Sequence, residues 1–284
     1  MQFIKNIQFQ QLLNLTLLIF LAYSNHTLQT NPFMVLVLLL FAMAFELLLK
    51  QKLYIPFSAA ITALGVVLML GWLVWYIPFI AIALALLQKR FMLINGVHIF
   101  NPSNFALIVA LVLFYPKALP IIGELGKESF VLYLVLTVGT IVLIRVNRIV
   151  ISVTFLLSYI LFSYLLIGKS DLMWNFDHFV DSLYSSSFIV YLFFMLTDPI
   201  TTPKSWRGQL LYALLVALMV VLLDFFIGVR LWHLFIALFF VTVATLPLFR
   251  ELKQEDIKKY LLYLLLSLSF IAIITLHKPL YFSM

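Results

Sequence analysis

The sequence predicts an all-α polytopic membrane protein with about 10 or 11 transmembrane helices, some of them short or broken. Three observations carry that reading. The chain is 65% hydrophobic and only 10% charged, with a mean hydropathy of +1.15, which is more apolar surface than a water-soluble monomer can hide. Its apolar stretches are long and nearly uncharged, whereas barrel strands would alternate over roughly 10 residues. Threading those stretches back and forth also gathers the basic residues on one side.

The first stretch, residues 7–23, has a weakly basic flank but no small-residue cleavage site, so it is read as a span and not as a cleaved signal. The following spans are placed at residues 33–49, 57–71, 74–88, 103–115, 129–144, 149–167, 183–198, 209–223, 231–249 and 259–276. The ambiguous step is whether residues 57–88 cross once or twice. Two crossings, with the N-terminus cytoplasmic, put 13 of the 18 basic residues inside and leave Lys117, Lys127, Lys169, Arg230 and Lys278 outside. One crossing erases the bias, so two are expected. The acidic residues Glu124, Glu128, Asp171, Asp177, Asp181 and Asp224 then fall outside.

The net charge of +7 is therefore mainly a topology signal. Its cations are spread in pairs around one rim and not gathered with aromatics into a patch, which argues against nucleic-acid binding. Without a cysteine the chain cannot by itself ligate an iron–sulfur cluster, form a disulfide or supply a thiol nucleophile. None of the histidines is placed mid-helix, so haem ligation and other metal sites are not expected; His26, His178, His233 and His277 are placed near the outer face and His98 near the inner.

Residues 57–88 must cross twice with 32 residues, about 24 Å per crossing at ~1.5 Å per residue, short of a ~30 Å hydrocarbon core. Short helix ends are tolerated where they are buried in protein or line a cavity, and such ends commonly build binding sites. Three polar strings sit at such ends, all on the inner side: Ser58–Thr62, Phe100–Phe105 and Thr197–Pro203. Asn101 can cap a helix with Pro102 at its first position. Capping leaves a second amide, Asn104, unexplained, and an amide can pair with a heterocycle carrying an imide N–H between carbonyls. Pro199 ends a helix after Asp198, whose charge opposes the macrodipole there unless something compensates. Thr197, Thr201, Thr202 and Lys204 add hydroxyls and a cation. Ser58 and Thr62 share one helix face, a pattern common in helix packing. Glu46 is read as a snorkelling carboxylate near Lys50, with a coupling role as the alternative.

These strings resemble a family of membrane subunits typified by the D subunit of the Rnf electron-transport complex and the B subunit of the sodium-pumping NADH:quinone reductase. The resemblance rests on the Ser-Ala-x-x-Thr start at Ser58–Thr62, on Lys89 before Phe100-Asn101-Pro102, and on Phe193–Pro203 followed by Gly208. The version Asn101–Phe105 is also similar to membrane proteins found with enediyne biosynthesis clusters. The resemblance implies two inverted five-helix repeats, approximately residues 1–116 and 128–250 of a single transmembrane domain, with residues 259–276 as an additional helix. It also implies a flavin. The Ser-Gly-Ala-Thr string that carries covalent FMN in the family has no match here, so a non-covalent FMN or riboflavin is expected.

The expected function is that of an electron-transfer subunit in the bacterial cytoplasmic membrane, with coupled ion movement left open. Its expected site comprises Ser58, Thr62, Lys89, Asn101, Ser103, Asn104, Thr197, Asp198, Thr201, Thr202 and Lys204, with Lys89, Arg90, Lys204 or Arg207 as candidates to hold a phosphate. The chain has no nicotinamide-binding fingerprint, so redox partner proteins or complex subunits would deliver electrons. Whether the chain is catalytic in its own right stays open; the resemblance implies the membrane subunit of an oxidoreductase complex. The rival expectation is a small-molecule or ion transporter on the same fold, and a third is a non-catalytic assembly partner.

Overall fold

A computed structural model describes residues 7–24, 26, 28, 30–121, 129–168 and 185–276. Glu124, Lys127, Glu128, Lys169, Asp171, Asp177, His178, Asp181, His277 and Lys278 lie outside the described residues. The chain is a multi-pass membrane protein built almost wholly from helices. Those of the first half are α1 (Ile7–Ser24), α2 (Pro32–Lys50), α3 (Phe57–Met69), α4 (Ile77–Phe91) and α5 (Pro102–Phe114). Those of the second are α6 (Ser129–Val146), α7 (Ile149–Phe162), α8 (Ser186–Val190), α9 (Trp206–Ile227), α10 (Trp232–Ala244), the short α11 (Leu246–Phe249) and α12 (Gln254–Thr275). Among the described residues, five helical segments are long and apolar enough to cross a membrane: α1, α2, α7 with its extension to Ile167, α9 and α12.

The short helices occupy the centre, and of the long ones α1, α2, α7 and α12 lie mostly at the rim while α9 is more deeply packed. Every residue of α5 from Pro102 to Leu111 is buried, as is most of α3 and α10. The rim helices turn large apolar side chains outward, such as Phe20, Leu48 and Leu262, as expected where the solvent is hydrocarbon. Helices α3, α5 and α10 have 13 residues each, about 20 Å at ~1.5 Å per residue. Their backbone beyond the helix ends must be satisfied inside the protein. One solution is visible at the C-terminal ends of α3 and α5. There β1 (Leu70–Trp72) pairs antiparallel with β4 (Ala118–Pro120), with Gly71 opposite Leu119.

At the other end, β2 (Leu93–Ile94) and β3 (Val97–His98) form a hairpin. Asn95 and Gly96 take φ of 53° and 74° at its turn. An Asn-Gly pair suits that left-handed geometry, because both central positions of such a hairpin turn need positive φ.

Several expected boundaries are corrected. Span 183–198 is the most changed: within it the α-helix covers only Ser186–Val190 and widens into a π turn, Tyr191–Met195. Span 231–249 breaks at Thr245, where Pro247 starts a new short turn. Helix α4 begins at Ile77 instead of residue 74, since Pro78 fits a first helical turn that needs no N–H. Helix α9 reaches Ile227, and α12 starts at Gln254 with Glu255 and Asp256 in its first turn, where acids suit the macrodipole.

Residues 57–88 thus contain two helices, α3 and most of α4. Single cysteines can test the sidedness without background, since the chain has none. Lys52→Cys and Lys204→Cys should react with an impermeant maleimide from the cytoplasm, and Lys117→Cys from the opposite side. Reaction of Lys52→Cys and Lys117→Cys from one side would refute the two-crossing arrangement.

Candidate functional site

The three polar strings converge at one end of the bundle. Helices α2 and α4 end there and α3 and α5 begin there. In α2, Glu46 is only 3% exposed. Its Oε1 accepts from Lys50 Nζ at 2.8 Å and from Lys89 Nζ at 3.0 Å. Lys89, reaching in from α4, also donates to Ser58 Oγ at 2.6 Å. The expected snorkelling carboxylate is therefore a buried one, shared by two cations, because α4 brings Lys89 against it. Lys89 is thereby committed to Glu46 and Ser58 and is a poor phosphate ligand.

Asn101 does two jobs at the start of α5. Its Oδ1 accepts from the Asn104 backbone N–H at 3.1 Å, as a cap should, and its Nδ2 donates to Asp198 Oδ2 at 3.2 Å. Asp198 also accepts from the Ile200 N–H at 3.0 Å. Its carbonyl receives the Thr202 N–H at 3.1 Å and the Thr202 hydroxyl at 2.6 Å. The conflict with the helix dipole is relieved by these donors. Thr202 Oγ1 in turn accepts from Arg148 Nε at 2.9 Å, and Arg148 also donates to the carbonyls of Pro199, Asn147 and Val146. Arg148 is 6% exposed and sits between α6 and α7. It latches the 198–202 turn onto the junction between α6 and α7.

A cavity of ≈ 700 Å³ opens beside that turn. Thr201, Thr202 and Lys204 line one wall, Leu246 and Phe249 another, and Tyr212 with Thr242 a third. The last two share a hydroxyl hydrogen bond of 2.8 Å, deep between α9 and α10. Arg250 also lines the cavity. It donates to the Ile200 carbonyl through one guanidinium nitrogen, while Nη1 is buried with no partner among the described residues. Asn95 completes the lining, fixed by its backbone N–H to Asp256 Oδ2 at 3.1 Å and by its side chain to the Glu251 carbonyl at 2.7 Å. The additional helix α12 thus holds the β2–β3 hairpin over the site.

On the other side of Ile200 lie two smaller cavities of ≈ 380 and ≈ 390 Å³, both lined by Glu46, Lys50 and Lys89. His98 faces the first. Burial holds its imidazole below the ordinary histidine value; Asp198 opposes that, and Lys89, Arg250 and Lys50 reinforce it.

The expected site residues divide into groups. Thr201, Thr202 and Lys204 face the large cavity, while Ser58 and Lys89 face a smaller one. Asn101 and Asp198 join the two halves. Thr62, Ser103 and Asn104 are turned into helix packing. Thr62 and Ser103 meet across α3 and α5, and a Cβ on Gly65 would lie 2.6 Å from Ser103 Oγ. Asn104 donates to the Phe235 carbonyl at 3.1 Å, its Oδ1 buried without a partner among the described residues. Thr197 bonds back to its own helix at Phe193 O. Sequence reasoning missed Arg148, Arg250, His98, Tyr212 and Asn95. The two arginines had been absorbed into the topology signal, and Asn95-Gly96 was a hairpin signal passed over.

A sequence model of the NQR2, RnfD, RnfE family matches residues 118–257, from β4 into the first turn of α12. The matched part contains Phe193–Pro203, Gly208, Arg148 and Arg250; Ser58, Lys89 and Asn101 precede it. No curated protein matches the chain.

Proposed function

We propose that this chain, whose residues 118–257 match the NQR2, RnfD, RnfE family, is a membrane-embedded subunit of a multi-subunit electron-transport complex and holds a non-covalent flavin in the ≈ 700 Å³ cavity. The supporting observation is that cavity's make-up. Its volume is in the range of small-molecule sites, ~300–1,000 Å³. Leu246 and Phe249 give it an apolar lining. Thr201, Thr202, Tyr212 and Thr242 line it, together with an arginine that has a spare donor.

The Thr201 hydroxyl can pair with a ring carrying an imide flanked by carbonyls, and Arg250 with Lys204 can take the ribityl or phosphate end. Bound flavin supplies the redox chemistry; the protein binds, orients and excludes water. Arg148 holds the wall in place through Thr202. Asn101 and Asp198 tie that wall to α5, and Ile200 separates the cavity from the Glu46–Lys89 pair. In this reading the cavity opens to the cytoplasm, where a partner subunit delivers electrons, and the N-terminus is cytoplasmic. The proposed inverted repeats, residues 1–116 and 128–250, are supported by the repeated order of helices, with short central α3 and α5 in one half and short α8 and α10 in the other.

Detergent-purified protein should show a flavin absorption spectrum, and denaturation should release the colour to the supernatant. Arg250→Met should lower flavin content about tenfold or more without loss of helical content, since a charged hydrogen bond carries about 1.5–3 kcal/mol. Colour that stays on the denatured chain would overturn the non-covalent assignment. A colourless protein that drives uptake in vesicles would replace the whole reading with a transporter.

A further inference from the structure

A second ionisable pair lies at the far end of α9. Asp224 is 18 residues beyond Trp206, about 27 Å along the helix axis at ~1.5 Å per residue, so it sits near the membrane face opposite the 197–204 turn. Its Oδ1 is 2.6 Å from His233 Nδ1, in the first turn of α10. The Arg230 backbone N–H also points to that oxygen, at 3.3 Å. Asp224 is 5% exposed and His233 1%.

The other ring nitrogen, His233 Nε2, is buried with no hydrogen-bond partner among the described residues. Only a short loop around Gly228 separates the two residues, so water on that face is a few residues away. Among the described residues, the other titratable or charged groups around the pair are few. Arg230 has its guanidinium over the Trp232 ring at 5.2 Å. From α7, Tyr159 is within electrostatic reach of Asp224. Tyr191 packs edge-on against Phe235 of α10, and from the C-terminal end of α5 Tyr115 meets Trp232 edge-on.

We propose that Asp224 and His233 form a proton-binding site at this face, in which Nε2 of His233 takes up and releases the proton. The charge balance supports this. With Asp224 ionised, its Oδ1 accepts two hydrogen bonds, and the one from His233 places a proton on Nδ1 and leaves Nε2 as a bare lone pair. In that state the pair carries one net negative charge in apolar surroundings. A proton on Nε2 makes an imidazolium beside a carboxylate, a pair with no net charge, and gives the buried nitrogen an N–H. A metal cation such as sodium fits poorly, because hard cations need several oxygen ligands and Asp224 offers one carboxylate, whose Oδ1 already accepts two hydrogen bonds. Ionisable residues inside a membrane are seldom kept for packing alone. This proposal does not depend on the flavin.

The test uses the full-length protein labelled with ¹⁵N-histidine in nanodiscs, with His233→Gln assigning one signal among five histidines. Between about pH 5 and about pH 9 the His233 nitrogens should pass from the imidazolium pattern to the neutral one. At the pH where the wild type is half protonated, Asp224→Asn should leave below about a tenth of His233 protonated. Asp224→Glu, which keeps the carboxylate, should retain the transition. A His233 signal unchanged across the range overturns the proposal, even if Asp224→Asn fails to fold. Coincident curves for the wild type and Asp224→Asn overturn it as well.

Discussion

Arg148→Met should destabilise the protein by about 3–5 kcal/mol and abolish flavin retention, the largest effect expected of a residue that does not line the cavity. The guanidinium is buried and serves acceptors on two sides: Thr202 Oγ1 and Pro199 O in the turn, Val146 O and Asn147 O at the α6–α7 junction. Methionine fills much of the volume but leaves all of these acceptors without that donor. It also removes a positive charge that acts on Asp198. The wall carrying Thr201 and Thr202 is then free to move. Lysine at this position reaches fewer of the acceptors and should recover only part of the stability. Denaturant unfolding in mild detergent, with flavin content measured on the same samples, checks both effects. A variant within about 0.5 kcal/mol of the wild type would show that the latch contributes little.

Glu46→Leu should cost a similar amount, about 3–5 kcal/mol, by a different route. Lys50 is 40% exposed and can swing into water once its partner is gone. Lys89 is only 14% exposed and cannot. Removing the carboxylate leaves its ammonium with Ser58 as the one remaining side-chain partner among the described residues. The double variant Glu46→Leu/Lys89→Met should regain most of the loss, because it removes the stranded charge with its partner. A double-mutant cycle gives the coupling directly. Additive single-variant effects would mean that the two side chains act independently despite the 3.0 Å contact.

What the sequence determined by itself is whatever follows from composition and local chemistry. Apolar stretches without charge can only be satisfied in a bilayer as helices, so fold class and the approximate helix positions were legible. Asn101-Pro102 announced a helix start because a side-chain acceptor and a residue lacking an N–H both suit one, and the structure has that cap. Pro199 and the amides at 101 and 104 marked places where polar groups had to be accounted for.

The tertiary structure decided which of these groups face a cavity. Asn104 and Ser103 read as ligand contacts along the chain; in the structure Asn104 donates to Phe235 of α10 and Ser103 to Thr62 of α3. Arg148 and Arg250 read as rim charges, yet each folds inward onto the 198–202 turn. Glu46 looked like a partner for Lys50 four residues on, until α4 supplied Lys89 from 43 positions away. Local pattern fixes a residue's helix and its depth in the membrane. Which neighbour meets it depends on how the short central helices cross, and the hydrogen bonds of a buried polar group are set by that neighbour.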